Sequence, residues 1–356
     1  MRVVYNSFQG RFSDNPRALY ERLRDLPGTE HVWLLDLPHA AAFPDDVETV
    51  SIDRPEARAV LESADLVIAG THTEVEWRKP EGARYLQTWH GTPLKRVHRD
   101  VLWAPPGRLD RLDLDIARWD VLLSPNPVST PRLRQAFGFE KEVWETGYPR
   151  NDLLLSPEAD RVRTDVRRAC GVPEDVTVVL YAPTWRDDEG YGDSTSIPMR
   201  LDLPALVSRL DGSGRPHMVL ARGHNLVTGR LQTPRGPGVV DVSWHRDIRE
   251  LYLAADVLVT DYSSVMFDFS LTGKPMVFYA YDLGRYRDQI RGFYFDLLPD
   301  APGPVVADAD ALAEALLRVE DDKERYAERY ARFRATYGVL EDGRATQRVL
   351  ERLGLV

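Results

Sequence analysis

The stretch "VLVTDYSSVMFDFSLTGKPMVFYAY", residues Val257 to Tyr281, decides the fold class. It begins with a short apolar run, passes through a polar turn into a segment with helical character, and ends in a second apolar run. Short apolar runs that alternate with helical segments are typical of parallel sheets covered by helices on both faces. The stretch therefore predicts a strand–helix–strand unit of an α/β fold.

The same alternation extends outward through both halves of the chain. Predicted strands are "RVVYNSF", "HVWLLDL", "ADLVIAG", "RYLQTWH" and "VLLSPN" in the first half, and "VTVVLYAPT", "PHMVLARG", "VLVTDYS" and "PMVFYAY" in the second. A segment rich in Gly, Pro and Asn near Gly147 to Pro157 is typical of a domain boundary. We therefore predict two Rossmann-like doubly wound domains, residues 1–152 and 153–356, with the last helix packing back on the first domain.

Composition restricts the classes of function. The chain has 356 residues, a formal net charge of -10 and 43% hydrophobic residues, which is enough for two cores. The acidic balance disfavours general binding to nucleic acid. A single cysteine, Cys170, excludes an internal disulfide framework, and no apolar run is long enough to span a bilayer. Function is therefore expected at a local site, in a protein of the cytoplasm.

His90 is the first candidate catalytic residue, in the stretch "QTWHGTPLK". It directly follows a predicted strand, so it is expected at the carboxyl edge of the first sheet, where doubly wound folds bind ligands. Thr92 and Pro93 predict the start of a helix whose free N–H groups would attract phosphate. A neutral imidazole there suits a general base, although a buried histidine bonded to the main chain fits the local pattern equally well.

Two strand ends of the second half carry cationic groups. "VLARGHN" places Arg222 and His224 together, and "YAPTWRDD" places Arg186 after Trp185. Arginine and histidine side chains at one sheet edge can donate to diphosphate oxygens. Trp185 could equally be a core residue, and each of the two patterns is weak alone.

The turn in the opening stretch offers Asp261, Ser263, Ser264 and Asp268. Small hydroxyl residues at the start of a helix can hold phosphate oxygens, and Asp268 could bind a ribose or polyol hydroxyl. Capping of the helix and stabilisation of its N-terminus are the plain alternatives. Three strand ends with phosphate-compatible groups together favour a nucleotide site in the second domain.

Other patterns carry less weight. Asp113 and Asp115 have the D-x-D spacing of some metal-dependent glycosyltransferases, but they lie in a Leu/Asp/Arg alternation that is better explained as a surface strand or helix. The histidines have no H-E-x-x-H spacing, so we predict no zinc site. The chain also lacks G-x-S-x-G and Walker-type motifs, which argues against hydrolase and NTPase classes.

With these residues assembled, the chain resembles the CDP-glycerol glycerophosphotransferase family, the polymerases and primases of teichoic acid. The matching pieces run in order over nearly the whole chain: "SFQGRFSDNPRALYERL", "QTWHGTPLK", "ETGYPRND", "YAPTWR", "RGH", "DIRELYLAADVLVTDYSSVMFDFSLTGKPMVFYAYD" and "RGFYFD". The resemblance implies a GT-B-like fold with the nucleotide held mainly by the second domain. It also implies transfer of a polyol phosphate from a CDP-polyol, glycerol before ribitol, to an acceptor hydroxyl, with release of CMP.

By motif, the resemblance makes His90 and His224 the catalytic histidines. The donor-binding residues expected from the motifs and strand ends are Thr88, Trp89, Gly91, Thr92, Arg186, Arg222, Asp261, Ser263, Ser264 and Asp268. No metal and no cofactor beyond the CDP-polyol donor are expected. The implied partner is a lipid-linked or polymeric acceptor, with peripheral association at the inner face of the membrane. A glycosyltransferase that uses a nucleotide sugar and a non-catalytic binding protein remain the alternatives.

Overall fold

The computed structural model describes residues 1–184, 186, 197–223, 231–233 and 236–356; for Ile197, Pro198, Leu231 and Gln232 only the main chain is described. In this part of the chain two parallel sheets are flanked by helices. The α/β, GT-B-like fold class predicted from the alternating pattern is thereby confirmed, with two Rossmann-like doubly wound domains.

The first sheet contains seven strands within the described residues, all parallel, in the order β3-β2-β1-β4-β5-β6-β7. The five predicted strands are present, and two short, partly exposed ones, β3 and β7, are additional. The reversal of strand order between β1 and β4 creates the crevice in which such sheets bind ligands. The strands are β1 Arg2–Asn6, β2 Glu30–Leu35, β3 Thr49–Ser51, β4 Leu66–Ala69, β5 Arg84–Gln87, β6 Val121–Ser124 and β7 Glu142–Glu145.

Helices of the first domain cover both faces of this sheet. Trp33 and Tyr5 pack on one face, while Trp119 and Tyr85 pack on the other. The α-helices are α1 Asp14–Leu23, α2 Pro55–Leu61, α3 Arg108–Ile116 and α4 Ser129–Phe137, with 3-10 turns at Leu37–Ala42 and His98–Asp100.

The second sheet repeats the same topology. Its six described strands follow the order β12-β10-β8-β13-β14-β15, again with a reversal, here between β8 and β13. Their bounds are β8 Thr177–Tyr181, β10 His217–Ala221, β12 Val239–Asp241, β13 Val257–Thr260, β14 Met276–Tyr279 and β15 Val305–Val306; β9 Ile197–Pro198 and β11 Leu231–Gln232 form a separate pair.

The second domain contains most of the remaining helices. They are the 3-10 helix Pro149–Leu155, α5 Ala159–Ala169, α6 Leu203–Asp211, α7 Ile248–Ala254, α8 Val265–Phe269 with a 3-10 turn at Ser270–Thr272, a short turn Leu283–Arg285 followed by a π-helix Tyr286–Ile290, a 3-10 turn Leu298–Asp300, α9 Ala309–Leu317, α10 Val319–Tyr337 and α11 Ala345–Leu353. No helix among the described residues is long and apolar enough to cross a bilayer.

The final helix α11 leaves the second domain. Val349 and Leu350 are buried in the core of the first domain, beside Val3 and Tyr5. The boundary placed at 152/153 lies inside the 3-10 helix Pro149–Leu155, between the last strand of one sheet and the first strand of the other.

The helix expected after Thr92 and Pro93 is a wrong prediction. Residues 88–97 contain no helix; Lys95 instead forms an isolated antiparallel bridge with Phe293 of the second domain. The partner of this segment comes from almost 200 residues away, and its main-chain groups bond across the domain interface rather than within a turn of helix. The proposed helix N-terminus for phosphate beside His90 is therefore absent.

Candidate functional site

His90 lies where three strand ends of the first sheet converge. It follows β5, its Nδ1 is 2.7 Å from the carbonyl oxygen of Gly70 at the end of β4, and its ring centroid is 5.2 Å from that of Phe8, just after β1. These three strands surround the reversal in strand order. The sequence prediction that His90 lies at the carboxyl edge is confirmed.

The bond to Gly70 fixes the tautomer of His90. A carbonyl oxygen only accepts, so Nδ1 carries the proton and Nε2 has the free lone pair of the neutral ring. Burial lowers the pKa of His90 to about 4, against the opposing effect of the Asp14 carboxylate. Around neutral pH the imidazole is therefore uncharged, and Nε2 is able to accept a proton.

Strained main-chain conformations are concentrated around this histidine. Within the described residues, the non-glycine residues with positive φ are Phe8 (44°), Gln9 (58°), Asp14 (64°), Trp89 (54°) and His98 (46°), all in the first domain. Such conformations cost on the order of 1–3 kcal/mol each and are concentrated at functional sites. The strain independently marks the β1 and β5 ends as the site.

The second domain meets this edge at the serine turn. An added Cβ at Gly91 would lie 2.7 Å from Ser264 Oγ and 2.9 Å from Ser264 Cβ, so only a glycine permits this approach. Ser263 is buried in the same turn, which follows β13 at the second reversal in strand order. The carboxyl edges of the two sheets therefore face each other across His90 and the serines.

Arg150 joins the two edges. One guanidinium nitrogen, Nη1, donates to the main-chain oxygen of His90 at 2.8 Å and to Asp14 at 2.7 Å, and Nη2 donates to Asp268 at 2.6 Å. All three side chains of this ion network are buried. Burial alone would lower the pKa of Arg150, but the two carboxylates outweigh it and raise the pKa, so the charge persists. The network holds the histidine loop against the second domain.

A protonated carboxyl group extends the network. Glu341 Oε1 accepts from Asn151 Nδ2 at 3.0 Å and from the Tyr148 N–H at 3.0 Å. Burial raises the pKa of Glu341 to about 8, so the carboxyl is largely neutral at pH 7. The neighbourhood of Asp268 consequently carries one negative charge fewer than the sequence suggests.

Arg222 and Arg11 are two cations near the cleft. Arg222 is buried at the end of β10 and donates to the main-chain oxygens of Val242 and His245 at 3.1 and 2.6 Å. Burial lowers the pKa of Arg222, and burial together with repulsion from Arg222 lowers the pKa of Arg11 to about 10. Two like charges from opposite domains therefore approach each other, an arrangement that an anion would relieve.

Arg186, expected to bind the donor, has its guanidinium bound to protein groups. It donates to Asp282 at 2.8 Å through both Nε and Nη2, and to Asp261 at 2.9 Å through Nη1. Both Asp261 and Arg186 are buried, and the guanidinium lies 4.8 Å from the centre of the Tyr286 ring. In this arrangement the pair joins strand ends, so the structure does not support direct donor contacts by Arg186 or Asp261.

Several other predicted donor residues are likewise used internally. The buried Thr88 hydroxyl donates to the main-chain oxygen of Ala69 at 3.2 Å, and Thr92 accepts from Asn126 at 3.3 Å. Trp89 packs in the core of the first domain, and Asp268 is paired with Arg150. These four residues shape the loop and the interface, whereas Gly91, Ser263 and Ser264 lie at the facing edges.

Two of the expected features lie outside the described residues: His224 with its neighbours 225–230, and Trp185 with most of the polar loop after it. The D-x-D pair has internal partners: Asp113 lies 3.0 Å from Arg99, and Asp115 accepts from Trp119 Nε1 at 2.9 Å. Burial raises the pKa of Asp115 to about 6.

Reasoning from the sequence missed Arg11, Asp14 and Arg150 as parts of the site. Arg11 and Asp14 follow the first strand of a doubly wound sheet, a position that commonly forms the ligand site. Arg150 lies in "GYPRND", a stretch that the sequence marks as a domain boundary and as part of a family motif but not as a source of site residues. No local pattern marks it, because its partners Asp14 and Asp268 lie more than 100 positions away in the sequence.

Comparison with known proteins gives one consistent family. The family profile described as CDP-Glycerol:Poly(glycerophosphate) glycerophosphotransferase matches residues 1–355. A teichoic acid glycerol-phosphate transferase of Staphylococcus aureus is 37% identical over 360 residues, covering 98% of this chain and 92% of that protein. The teichoic acid poly(glycerol phosphate) polymerase of Bacillus subtilis is 35% identical over 98% of this chain, which spans only 48% of it.

The wall teichoic acid polymerase TagF supplies a solved structure with the same fold. It superimposes with a TM-score of 0.88 at 33% identity and covers 99% of this chain and 88% of its own. A histidine-to-asparagine variant of that polymerase was also solved after a soak with CDPG. The match over both domains agrees with the GT-B-like architecture described above.

Proposed function

Since this chain belongs to the CDP-glycerol:poly(glycerophosphate) glycerophosphotransferase family, we propose that it transfers glycerol phosphate from CDP-glycerol to an acceptor hydroxyl in teichoic acid synthesis. The relatives named as glycerol-phosphate transferase and polymerase support this reaction, and they also support the enzyme class. The observation in the structure that carries the proposal is the neutral His90 at the facing sheet edges, whose Nδ1 donates to Gly70 and whose Nε2 therefore keeps its lone pair.

In the proposed reaction His90 is the general base. The acceptor oxygen attacks the β-phosphorus of CDP-glycerol, and His90 Nε2 takes the hydroxyl proton as the new P–O bond forms. The bond between the β-phosphorus and the bridging oxygen breaks, and CMP leaves with that oxygen. Anionic donor phosphates near the imidazole would raise the pKa of His90 above its value in the free enzyme, which makes it a better base in the complex.

The proposed donor site lies on the second domain. Ser263 and Ser264 offer hydroxyl groups at the turn after β13, and Arg222 and Arg11 provide positive charge from the two sides of the cleft. Hydrogen-bond donors and cations placed where charge develops on the leaving phosphate stabilise the transition state. His224 remains proposed as the second catalytic histidine, from its motif alone.

The reaction is proposed to need no cofactor, and the test is CMP release after dialysis against EDTA. The defining experiment measures CMP from CDP-glycerol and from CDP-ribitol, each with a synthetic lipid-linked polyol-phosphate acceptor. Acceptor-dependent CMP from CDP-glycerol is the expected result. CMP release only from CDP-ribitol would identify CDP-ribitol as the donor in place of CDP-glycerol. Folded protein that releases no CMP from either donor would overturn the proposed function.

The acceptor is proposed to be lipid-linked, with the protein bound peripherally at the inner face of the membrane. Leu102 and Trp103 support this, because these neighbouring apolar side chains are 44% and 59% exposed. Interfacial tryptophans insert readily among lipid headgroups. Co-sedimentation with anionic vesicles should fall when both are changed to Ser, and equal sedimentation of the variant would refute this membrane contact.

A further inference from the structure

A separate pocket lies at the junction of the two domains. Its volume is about 430 Å³, within the range of small-molecule sites. Arg96 and Leu102 line it from the first domain, and Tyr294 lies on the second-domain side. The second domain also contributes the charged pair Arg287 and Asp288, together with Asp296. None of these residues belongs to the donor site proposed above.

The walls of this junction pocket are held by bonds between the domains. Residues 94–96 run antiparallel to residues 292–294 and are joined to them by two main-chain hydrogen bonds of 2.8 and 3.0 Å. The Tyr294 hydroxyl donates to Asp100 at 2.6 Å. These bonds fix the two walls of the pocket relative to each other, which reduces the entropy that binding must overcome.

Arg96 is a cation without an ion pair. No carboxylate lies within ion-pair distance of its guanidinium in the part of the chain that the structure describes, whereas Arg287 beside it is 2.7 Å from Asp288. The Arg96 stem is packed on Gly292, where an added Cβ would lie 2.8 Å from Arg96 Cδ. Arg96 as a residue is half-buried and lines the pocket, so an anionic ligand group can pair with it.

The rest of the lining narrows the ligand class. Asp288 and Asp296 are acceptors for hydroxyl groups, and the Tyr294 ring supplies an apolar surface. A neutral sugar would leave Arg96 unpaired, and a ligand with phosphates alone would meet the Asp296 carboxylate, whereas the charge of Asp288 is already balanced by Arg287. A chain that alternates phosphate and hydroxyl-bearing carbons satisfies both kinds of group.

We propose that the junction pocket binds a polyol-phosphate segment of the acceptor, behind the hydroxyl that reacts at His90. Arg96 contacts a phosphate of that segment, and the carboxylates accept hydrogen bonds from the hydroxyl groups of the segment. Arg96 follows His90 by six residues, so their Cα atoms are at most about 20 Å apart. The identification of the segment as part of an acceptor rests on the proposed function.

The test uses the full chain and a soluble, lipid-free oligomer of glycerol phosphate, with binding measured by calorimetry. Arg96→Ala should weaken binding roughly tenfold to a hundredfold, the range for a lost charge-assisted hydrogen bond, and Arg96→Glu should weaken it further. Arg22→Ala, a change at an exposed arginine of α1 outside the pocket, should bind like the unchanged protein. Equal affinity in all four proteins, or no binding by the unchanged protein, overturns the proposal.

Turnover measured in parallel separates this inference from the proposed function. If Arg96→Ala and Arg96→Glu release CMP with an unchanged KM for a polymeric acceptor, the pocket assignment fails while the transferase function stands. If the oligomer binds through Arg96 but no acceptor elicits CMP, the pocket stands as a polyol-phosphate site, and both its assignment to an acceptor and the proposed function fail. A raised acceptor KM with an unchanged affinity for CDP-glycerol is the expected result.

Discussion

Gly91 and Ser264 bring the two domains into contact beside the proposed base, since a methyl group on Gly91 would lie 2.7 Å from Ser264 Oγ. The φ of Gly91 is not in the left-handed region, so its conformation alone does not require a glycine. The close approach of Ser264, which follows a strand of the other sheet, explains why this position holds a glycine. The relative position of His90 and the serine turn therefore depends on this contact.

Gly91→Ala should lower kcat/KM by on the order of tenfold to a hundredfold, because displacing reacting groups by about 1 Å has effects of this size. The measurement is steady-state CMP release. Ser264→Gly removes both atoms of Ser264 that would clash with the added methyl group. In that background Gly91→Ala should therefore lower kcat/KM less than it does in the unchanged protein. An equal loss in both backgrounds would mean that the methyl group acts through something other than the domain contact.

His90→Ala should abolish turnover while affinity for CDP-glycerol stays within about tenfold, since general bases contribute roughly 10²–10⁴ to rate. In the unchanged protein without bound donor, the His90 side chain has a pKa of about 4. The base must be unprotonated, so kcat/KM should fall only as the pH drops toward 4, and not near 6.5. Full turnover by His90→Ala, measured as CMP release, would remove the general-base role.

Arg150→Ala should destabilise the fold by about 3–5 kcal/mol, because it leaves Asp14 and Asp268 buried without their cation. Urea denaturation measures this loss. Arg150→Ala/Asp268→Asn should be less destabilised than the sum of its single variants, since the second change removes one stranded charge. Additive effects would show that the pair is not energetically coupled.

Glu341→Gln should alter the pH dependence of stability. The folded carboxyl has a pKa of about 8 and the unfolded one its usual value of 4.5, so between these pH values only the folded state holds the proton. Stability from this group therefore decreases by up to about 1.4 kcal/mol per pH unit as the pH rises from roughly 5 to 8. The variant should show a smaller decrease over that range in urea denaturation; identical slopes would contradict the raised pKa.

Arg186→Lys tests whether this arginine is structural. A lysine cannot reproduce the forked contacts to Asp261 and Asp282, so the free energy of unfolding should fall by about 2–4 kcal/mol. Affinity for CDP-glycerol, measured on the folded protein, should change only a few fold. A large loss of donor affinity with unchanged stability would instead support the donor contact expected from the sequence.

Much of the fold followed from local patterns. The apolar runs that contain β1, β4 and β5 alternate with helical segments, and this periodicity reflects burial of both faces of a parallel sheet. The short strands β3 and β7 were not predicted, because their side chains are mostly half-buried or exposed and the apolar pattern of a buried strand is weak there. The helix expected at Thr92 failed because the capping pattern is local, whereas segment 94–96 pairs with residues 292–294.

The same division applies to the site. The sequence placed His90, Ser263 and Ser264 at strand ends, since every parallel strand delivers its last residues to the same edge of a sheet. It could not show that Arg186, Asp261 and Asp268 have protein partners, because an ion pair leaves no mark on residue spacing. Nor could it identify Arg150, whose contacts with Asp14 and Asp268 join residues more than 100 positions apart.

The sequence by itself determined the two doubly wound sheets, the carboxyl-edge location of His90 and, through its motifs, the family. Only the tertiary structure decided which nitrogen of His90 holds the proton and that Arg150 and Arg186 pair with buried carboxylates. The physical reason is range: hydrophobic periodicity acts over a few residues, whereas protonation and ion pairing depend on burial and on charges that only folding brings together.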